Sequence, residues 1–144
     1  MTGFSITLDG ANEILIVLDQ LDSRAANLAP ALNESALFME RETKLNFARQ
    51  AAPDGTPWAK LKPSTLREKR GGGILVRTGA LSGSIAAQPA TARQVTVKSS
   101  GIKYGIFHQF GTKKMVARPF MGITSRHIPK ITKIVERHLR EALQ

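Results

Sequence analysis

The sequence predicts an α+β domain: a mostly antiparallel sheet with helices packed on one face, and a long loop-rich segment after the second helix. Three observations support this prediction. Apolar residues recur at helical spacing near the start of the chain and again at its end. Segments with strand-like alternation are grouped between residues 84 and 120, and no internal repeat interrupts the order. Strands grouped together, with helices at both ends, are typical of an α+β fold.

The first 21 residues predict a short strand and then a helix. Residues 4–8 alternate apolar and polar side chains, as a half-buried strand does. Asp9 is a suitable N-cap for the helix that would follow. That helix would carry an apolar stripe at helical spacing, formed by Ile14, Leu15, Leu18 and Leu21. We assign the stripe to the core, because the apolar face of an amphipathic helix is usually buried.

A second helix is predicted from Pro30 to about Gln50. Proline suits the first turn of a helix, where its missing N–H is not needed. The apolar positions share one broad face and are assigned to the core: Leu32, Ala36, Met39 and Phe47, with Leu37, Phe38 and Leu45 widening that face. The sequence Pro53-Asp54-Gly55 then ends the helix in a turn.

Residues 53–82 form the long loop-rich segment. Its apolar anchors are Trp58, Leu61 and Leu66, and residues 64–70 would form a short basic helix. The three glycines at 71–73 end that helix, because glycine loses too much backbone entropy inside a regular element. Irregular segments of this length are usually functional or become ordered against a partner. We therefore expect this segment to serve assembly more than folding.

The next part of the chain predicts further strands. Residues 84–88 and 94–98 alternate as two antiparallel strands joined by a turn-forming connection. Residues 104–110 fit a short helix and a strand equally well, and periodicity does not separate the two. In either case Phe110 is assigned to the core. Residues 115–120 predict a strand that ends in a bend, with Phe120 buried.

A final helix is predicted from Ser125 or Pro129 to Leu143. Its apolar residues recur with helical spacing and predict a buried stripe of Ile128, Ile131, Ile134, Val135, Leu139 and Ala142. Glu136 and Arg140 lie four residues apart in the orientation that stabilises a helix.

Length and composition suit one domain spanning residues 1–144. A hydrophobic content of 42% argues against disorder, and the absence of cysteine excludes disulfides and thiolate chemistry. The opening residues lack the basic region and apolar run of a secretory signal, and the apolar run at 14–18 is too short to span a bilayer. We therefore expect synthesis in a reducing cytoplasm and no membrane partner.

Charge divides the chain unevenly. Residues 1–42 hold seven acids and two bases, a net charge of −5, whereas residues 43–144 hold four acids and nineteen bases, a net charge of +15. No acid lies between Glu68 and Glu136, although twelve Lys and Arg do. Such a one-signed region attracts a polyanion or an acidic protein surface. A solvated basic face without a ligand is the simpler alternative.

The sequence carries no motif of an enzyme or a metal protein. Its histidines, His108, His127 and His138, include no pair at the i, i+4 spacing of helical metal ligands. Ser82 lies in GALSGS, which is not a nucleophile elbow. The glycines of KRGGGILVRTG lack the Gly-Lys-Ser/Thr ending of a phosphate-binding loop. We therefore predict no catalytic, cofactor-binding or metal-binding residues.

Direct binding to nucleic acid is the leading alternative use of the basic half. A cluster of bases follows Trp58 in sequence: Lys60, Lys62, Arg67, Lys69, Arg70 and Arg77. Basic side chains around an aromatic platform are typical of binders without sequence preference. One Trp and one Tyr are few for base stacking, however, and no helix-turn-helix, zinc finger or RNA-recognition motif is visible.

Three short sequence blocks follow one another along the chain in a distinctive order and spacing. The first is PDGTPW at 53–58, followed by Leu61 and residues 63–66. The second is ILVRTGAL at 74–81, running into GSI at 83–85, and the third joins residues 104–112 to ARPF at 117–120. In this order the blocks resemble the virion morphogenesis (tail completion) family of Mu-like tailed phages.

The resemblance implies a non-enzymatic virion protein of the tail terminus or neck, acting in tail completion and head–tail joining. It implies a ring-shaped homo-oligomer, with a hexamer as one candidate size, in contact with other neck and tail proteins. Because DNA passes through the tail lumen, contact between some basic residues and DNA is a further expectation. The expected location is the virion, after assembly in the host cytoplasm.

Five residues are candidates for assembly contacts: Trp58, Lys69, Arg70, Arg77 and Arg118. A ring needs a patch that fits a different patch on the next copy, and the acidic first part and basic remainder of the chain offer such complementarity. A role inside the chain is the alternative for two of the five. Trp58 would then anchor the long segment to the core, and Arg118 would belong to the bend before Phe120.

Overall fold

A computed structural model describes residues 3–9, 13–19, 27–63, 79–99 and 105–142 of the chain. The strands are β1 (Gly3–Asp9), β2 (Glu13–Asp19), β3 (Ile85–Ala87) and β4 (Gln94–Ser99). The helices are α1 (Ala29–Arg49), α2 (Ala80–Gly83), α3 (Gly105–Phe110) and α4 (Ile128–Ala142). All strand pairs are antiparallel, in the order β1–β2–β4–β3. This architecture confirms the α+β prediction.

Strand β2 stands where the sequence predicted a first helix, so the helix capped by Asp9 is wrong. The run ILIVL at 14–18 is apolar at every position and therefore fits a helical stripe and a buried strand alike. Three of its five residues are β-branched, which favours the strand. The deciding partner is remote, because Ile14 pairs with Val97 and Ile16 with Val95. Leu21, the last residue of the predicted stripe, lies outside the described residues.

Helix α1 confirms the helix predicted from Pro30 to about Gln50. The core assignment is wrong for Leu37 and Leu45, which are 57% and 37% exposed, whereas Phe38 packs partly buried against the core. The side-chain Oδ1 of Asn27 accepts a hydrogen bond from the backbone N–H of Ala29 (3.1 Å), satisfying one free donor of the first turn. At the other end Gln50 adopts the left-handed conformation, with φ 52°. Its N–H bonds carbonyls of the last turn, which closes the helix.

The core lies between α1 and the sheet. Helix α1 packs across β3 and β4, and α4 packs against α1. The sheet contributes five of the described buried side chains: Ile14, Ile16, Ile85, Val95 and Val97. The helices contribute a second set: Leu32, Ala36, Met39, Ile131 and Val135. On the surface, Arg137 and His138 of α4 pair with Glu34 of α1. The hydrogen bond from Arg137 holds the pKa of Glu34 below its ordinary value.

The β3 edge of the sheet is covered by polar side chains of α1. Glu40 Oε1 accepts a hydrogen bond from the N–H of Ala87 (2.9 Å), and Asn33 Oδ1 accepts one from the N–H of Ala90 (3.0 Å). These bonds occupy donors that an uncovered edge would offer to another strand. The two strands predicted at 84–88 and 94–98 are thus confirmed as β3 and β4, with Ala87 opposite Val97.

The segment after β4 differs from the prediction. Residues 105–110, which fitted either a helix or a strand, form helix α3. The strand predicted at 115–120 is wrong, because Met115 makes only an isolated bridge with Thr112. The N–H of Arg118 donates to the carbonyl of His108 (2.7 Å), and the N–H of Phe120 donates to the side chain of Gln109. Because backbone N–H groups of this segment bond the end of α3 and the side-chain amide of Gln109, the segment forms no β-ladder.

The predicted final helix is confirmed as α4, which begins one residue before Pro129 and is described to Ala142. The expected end at Leu143 lies outside the described residues. The same holds for the short basic helix predicted at 64–70 and the glycine break at 71–73. Of the long segment, residues 53–63 and 79–82 are described.

Candidate functional site

An aromatic cluster joins the first and third sequence blocks beneath the end of α1. Trp58 is 5% exposed, and its indole Nε1 donates a hydrogen bond to the carbonyl of Pro119 (2.7 Å). Phe47 of α1 meets the Trp58 ring edge-on, with ring centroids 5.6 Å apart, and lies 5.4 Å from the ring of Phe120. Leu81 from the second block belongs to the same buried cluster. Described residues from all three blocks therefore belong to one core.

A buried amide fixes the third block from inside. Gln109 is 5% exposed, and its Nε2 donates to the carbonyl of Met121 (2.7 Å). Its Oε1 accepts hydrogen bonds from the N–H groups of Phe120 and Met121, both at 3.1 Å. Asn46 of α1 adds a donor to the carbonyl of Phe120 (2.9 Å). These side chains replace the strand partner that residues 120 and 121 lack.

Two arginines hold the first block by its backbone. Arg118 Nε donates to the carbonyl of Ala59 (2.8 Å), and its Nη2 donates to the carbonyl of Lys60 (3.1 Å). Arg126 Nη2 donates to the carbonyl of Pro53 (3.1 Å). Between these anchors, Asp54 accepts a hydrogen bond from the N–H of Thr56 (2.9 Å), and this bond lowers the pKa of Asp54. Residues 53–60 are therefore fixed on their own chain.

The five predicted contact residues fall into two groups. Trp58 and Arg118 are both buried and have hydrogen-bond partners within the chain. This placement favours the core interpretation for both, whereas contact with a neighbouring copy stays a prediction. Lys69, Arg70 and Arg77 lie outside the described residues.

One histidine of the described chain, His127, is buried, and another, His108, is half-buried. His127 is 2% exposed, and its Nδ1 accepts a hydrogen bond from the N–H of Thr124 (3.1 Å). Burial lowers the pKa of His127, and Arg126 lowers it further against an opposing effect of Glu42. Burial and Arg118 likewise lower the pKa of His108. Both imidazoles are therefore neutral at pH 7 and add no charge to the basic half.

The described residues offer little for catalysis. They contain no group of three or more His, Asp or Glu side chains placed to hold a metal ion. An open depression of about 520 Å³ lies beside Lys44, Gln50 and Ser82, and the described residues of its lining include no acid or histidine. The hydroxyl of Ser82 donates to the carbonyl of Gly79 (3.2 Å), so it already has a structural partner. None of the helices within the described ranges carries an apolar stretch that would cross a bilayer.

An exposed apolar patch on and after α3 was not predicted. Phe107, Phe110 and Val116 are 52%, 53% and 54% exposed. The assignment of Phe110 to the core is therefore wrong, because the inward position of α3 is occupied by Gln109. Residues 107 and 110 share one side of a helix, so a helical assignment would have indicated that they are exposed together. The sequence did not show whether residues 105–110 form a helix or a strand, and the patch could therefore not be predicted.

Comparisons with known proteins confirm the family that the three sequence blocks resemble. The sequence model of the phage virion morphogenesis family matches residues 9–140. The Mu-like prophage FluMu G protein 1 of Haemophilus influenzae is 29% identical to this chain over 112 residues, covering 74% of this chain and 75% of that protein. No solved structure matches the chain. The matched residues run from the end of β1 into the last turn of α4.

Proposed function

Because the chain belongs to the phage virion morphogenesis family, we propose that it is a structural protein of the phage tail terminus or neck. Its role is in tail completion and head–tail joining. Family membership makes it a phage assembly protein associated with the virion. The position at the tail end or neck and the joining step are the finer parts of the proposal.

The observation that carries the proposal is the family match across residues 9–140. The use of polar side chains in the described core supports a structural role. Gln109, Asn46 and Arg118 each bond backbone groups of distant segments, which fixes the fold and leaves these groups unavailable for chemistry. A virion protein needs such rigidity, because its surfaces must meet fixed neighbours.

The proposal includes self-association into a ring, for which a hexamer is one candidate size, and contact with other neck and tail proteins. Two features support it. The acidic first part and basic remainder of the chain can attract each other between copies. The described surface also exposes aromatic and aliphatic side chains that a partner would cover.

The test is to stop translation of this chain early in a phage that encodes it. We expect lysates with a strongly reduced infectious titre, in which electron microscopy shows filled heads and separate or irregular tails. Supplying the chain from a plasmid should restore joined particles. Normal, joined particles without the chain would contradict the proposal. Capsid genes on one side of the reading frame and tail genes on the other would support it.

A DNA-binding module is the second candidate, favoured by exposed lysines within or near the acid-free stretch: Lys60, Lys62, Lys113 and Lys114. Such a module would bind duplex DNA with an affinity that falls steeply as salt rises. Failure to bind duplex DNA at low salt, together with a ring-sized species in light scattering, would eliminate it. Lumen-facing contact with DNA inside an assembled tail remains compatible with the first proposal.

A further inference from the structure

The sheet of described strands ends in two edges that differ in length. Strand β3 forms one edge and is three residues long, whereas β1 forms the other and is seven residues long. The order β1–β2–β4–β3 gives each of these two strands one neighbour among the described strands. The free side of an edge strand presents backbone N–H and C=O groups that can pair with a further strand.

The chain itself closes the β3 edge. Glu40 Oε1 accepts a hydrogen bond from the N–H of Ala87 (2.9 Å), and Asn33 Oδ1 accepts one from the N–H of Ala90 (3.0 Å). Both acceptors belong to α1, which packs across β3 and β4. A strand of another molecule could therefore pair with β3 only by displacing these two side chains.

The β1 edge has a different character. Its backbone pairs with β2 along its whole length, from Gly3 opposite Asp19 to Asp9 opposite Glu13, and no second described strand pairs with it. Residues 3–8 contain no charged residue and no proline, the residue types that commonly block the edge of a sheet. The described part of the sheet thus protects its short edge and leaves its long edge able to accept a partner strand.

The sequence of β1 is suited to pairing with itself. Residues 4–8 alternate apolar and polar side chains, and the alternation is the same in both directions. An antiparallel register centred on Ile6 therefore sets like residues opposite each other: Phe4 with Leu8, and Ser5 with Thr7. Asp9 then lies opposite Gly3 of the second copy, so no like charges meet directly.

We propose that two copies of the chain pair through β1, antiparallel and in the register centred on Ile6. The four described strands of each copy then continue into one sheet across a two-fold axis. A two-fold contact uses the same strand in both copies, whereas a closed ring repeats a contact between two different surfaces. The inference therefore goes beyond the proposed ring and does not depend on it.

The two edges together select a second copy in this arrangement. Pairing of β1 with β3 of another copy would be head-to-tail, but it competes with the hydrogen bonds made by Glu40 and Asn33. Pairing of β1 with β1 competes with no strand pairing among the described residues. It also covers an edge that would otherwise favour aggregation of the free chain. Nucleic acid offers no strand backbone with which such an edge could pair.

Single cysteines test the register, because the chain has no cysteine of its own. Ser5→Cys and Thr7→Cys should each give little disulfide-linked dimer when oxidised alone, because residues in diagonal positions lie about 7–8 Å apart. A mixture of the two variants should give covalent dimers, because opposite residues of an antiparallel pair are close enough for a disulfide. Ile6→Cys should give dimers by itself. The control mixes Ser5→Cys with Leu37→Cys, which is exposed on α1, and should give none.

Charge substitutions give a second readout in analytical ultracentrifugation. Ser5→Lys with Thr7→Lys sets lysines opposite each other, and it should raise the dissociation constant of the dimer about tenfold or more. Ser5→Glu with Thr7→Glu should have the same effect, and a mixture of the lysine and glutamate chains should restore dimers. Leu37→Lys with Leu45→Lys adds the same charge at exposed positions of α1 and should leave the dissociation constant unchanged.

Amide hydrogen exchange identifies the backbone groups that the contact covers. As the concentration rises through the dissociation constant, protection should increase at alternate residues of β1, because the other N–H groups of that strand already face β2. The amides of β4, an inner strand of the described sheet, should not change. Full protection of β1 at concentrations where the chain is monomeric would show that the chain covers this edge itself, and it would overturn the inference.

The remaining outcomes separate this inference from the proposed function. A parent chain that stays monomeric at high concentration would overturn the β1 pair. Dimers that resist the lysine substitutions, or covalent dimers from Ser5→Cys alone, would overturn this strand or this register. A ring-sized species without β1 cross-links would do the same and leave the proposed ring standing. The role in the virion is judged separately, by the complementation of joined particles.

Discussion

The indole N–H of Trp58 donates a hydrogen bond to the carbonyl oxygen of Pro119 across 2.7 Å, joining residues 61 positions apart. The bond closes the aromatic cluster of Phe47, Trp58 and Phe120 from one side. It is made by the only tryptophan of the chain, and it joins the first and third sequence blocks. Its strength can be measured by substitution.

Replacing Trp58 with Phe should lower the free energy of unfolding by about 1–3 kcal/mol. Phenylalanine keeps an apolar ring against Phe47 but leaves the Pro119 carbonyl without its donor. Urea denaturation followed by circular dichroism measures the change. Phe107→Leu, which alters an exposed aromatic, serves as the control and should change stability by less than about 0.5 kcal/mol. A Trp58→Phe variant as stable as the parent would show that the hydrogen bond contributes nothing.

Replacing Gln109 with Leu should destabilise the chain by about 3 kcal/mol or more. Leucine has a similar volume, but the substitution removes the partners of three backbone groups of residues 120 and 121. Gln94→Leu, made at an exposed position of β4, is the matched control and should be nearly neutral in the same urea titration. Equal effects of the two substitutions would refute the role assigned to the buried amide.

Gly111→Ala should cost about 1–2 kcal/mol from its left-handed conformation alone, and more from crowding. The added Cβ would lie 2.9 Å from the Ala117 nitrogen, where only a shift of backbone can relieve it. Gly83→Ala is the control, because nothing lies within 4 Å of its added Cβ and its φ is not in the left-handed range. We expect Gly83→Ala to be neutral or slightly stabilising. Thermal melts of the two variants should therefore move in different directions or by clearly different amounts.

Stability should fall with acidification because the pKa values of two histidines are lowered in the folded chain. An unfolded histidine titrates near its ordinary pKa of 6.5, whereas burial lowers the pKa of folded His127. Below pH 6.5 the unfolded state therefore binds a proton that the folded state does not, and the free energy of unfolding decreases. The decrease is complete once the pH passes below the folded pKa, and above 6.5 this group has no effect. His127→Gln should flatten the dependence in part, since His108 contributes in the same direction.

The charged groups around His127 act on its pKa in opposite directions. Arg126 and Arg49 lower its pKa and Glu42 raises it. The comparison variant is His138→Gln, which removes an imidazole at the α1–α4 surface instead. An unchanged pH profile for His127→Gln between pH 6.5 and pH 5 would contradict the assignment.

Replacing Lys69, Arg70 and Arg77 together with Ser should leave the thermal melt nearly unchanged and impair virion assembly. The reason is compositional: these bases lie in a basic, glycine-broken stretch that we expect to serve assembly more than folding. Particle yield in a complementation assay measures the second effect. Lys130→Ser with Lys133→Ser, at exposed positions of α4, provides a comparison on the opposite side of the acid-free stretch. Loss of folding in the triple variant would contradict this prediction.

The predictable part of the fold is the part with local causes. Helices α1 and α4 follow from apolar periodicity and from prolines in their first turns, and β3 and β4 follow from alternation around a short connection. Strand β2 could not be predicted from local causes. The run at 14–18 fits both a helix and a strand, and its partner β4 lies far along the chain. The segment at 115–120 has a strand-like sequence, but the backbone N–H of Phe120 bonds the side chain of Gln109. No sequence pattern predicts that Gln109 is buried.

The candidate surfaces divide in the same way. The charge asymmetry and the family blocks were visible in the sequence, and they led to an assembly role. A core position for Trp58 and an internal role for Arg118 were among the interpretations of the sequence, but the sequence did not decide between them and contact with another copy. The exposure of Phe110 was not visible, since it depends on which side of a short helix faces the core. Gln109 accounts for the exposure of Phe110, because it takes the inward position of α3 and bonds the backbone of residues 120 and 121.

The pairing of β2 with β4 also sets an order in time. Residues 13–17 have no second neighbour until residues 94–98 have been synthesised, so the growing chain carries an unsatisfied apolar strand through most of its translation. Pairings between such distant segments form slowly. A chain that stops before residue 94 would therefore leave β2 with one strand neighbour, β1, and the four-stranded sheet incomplete.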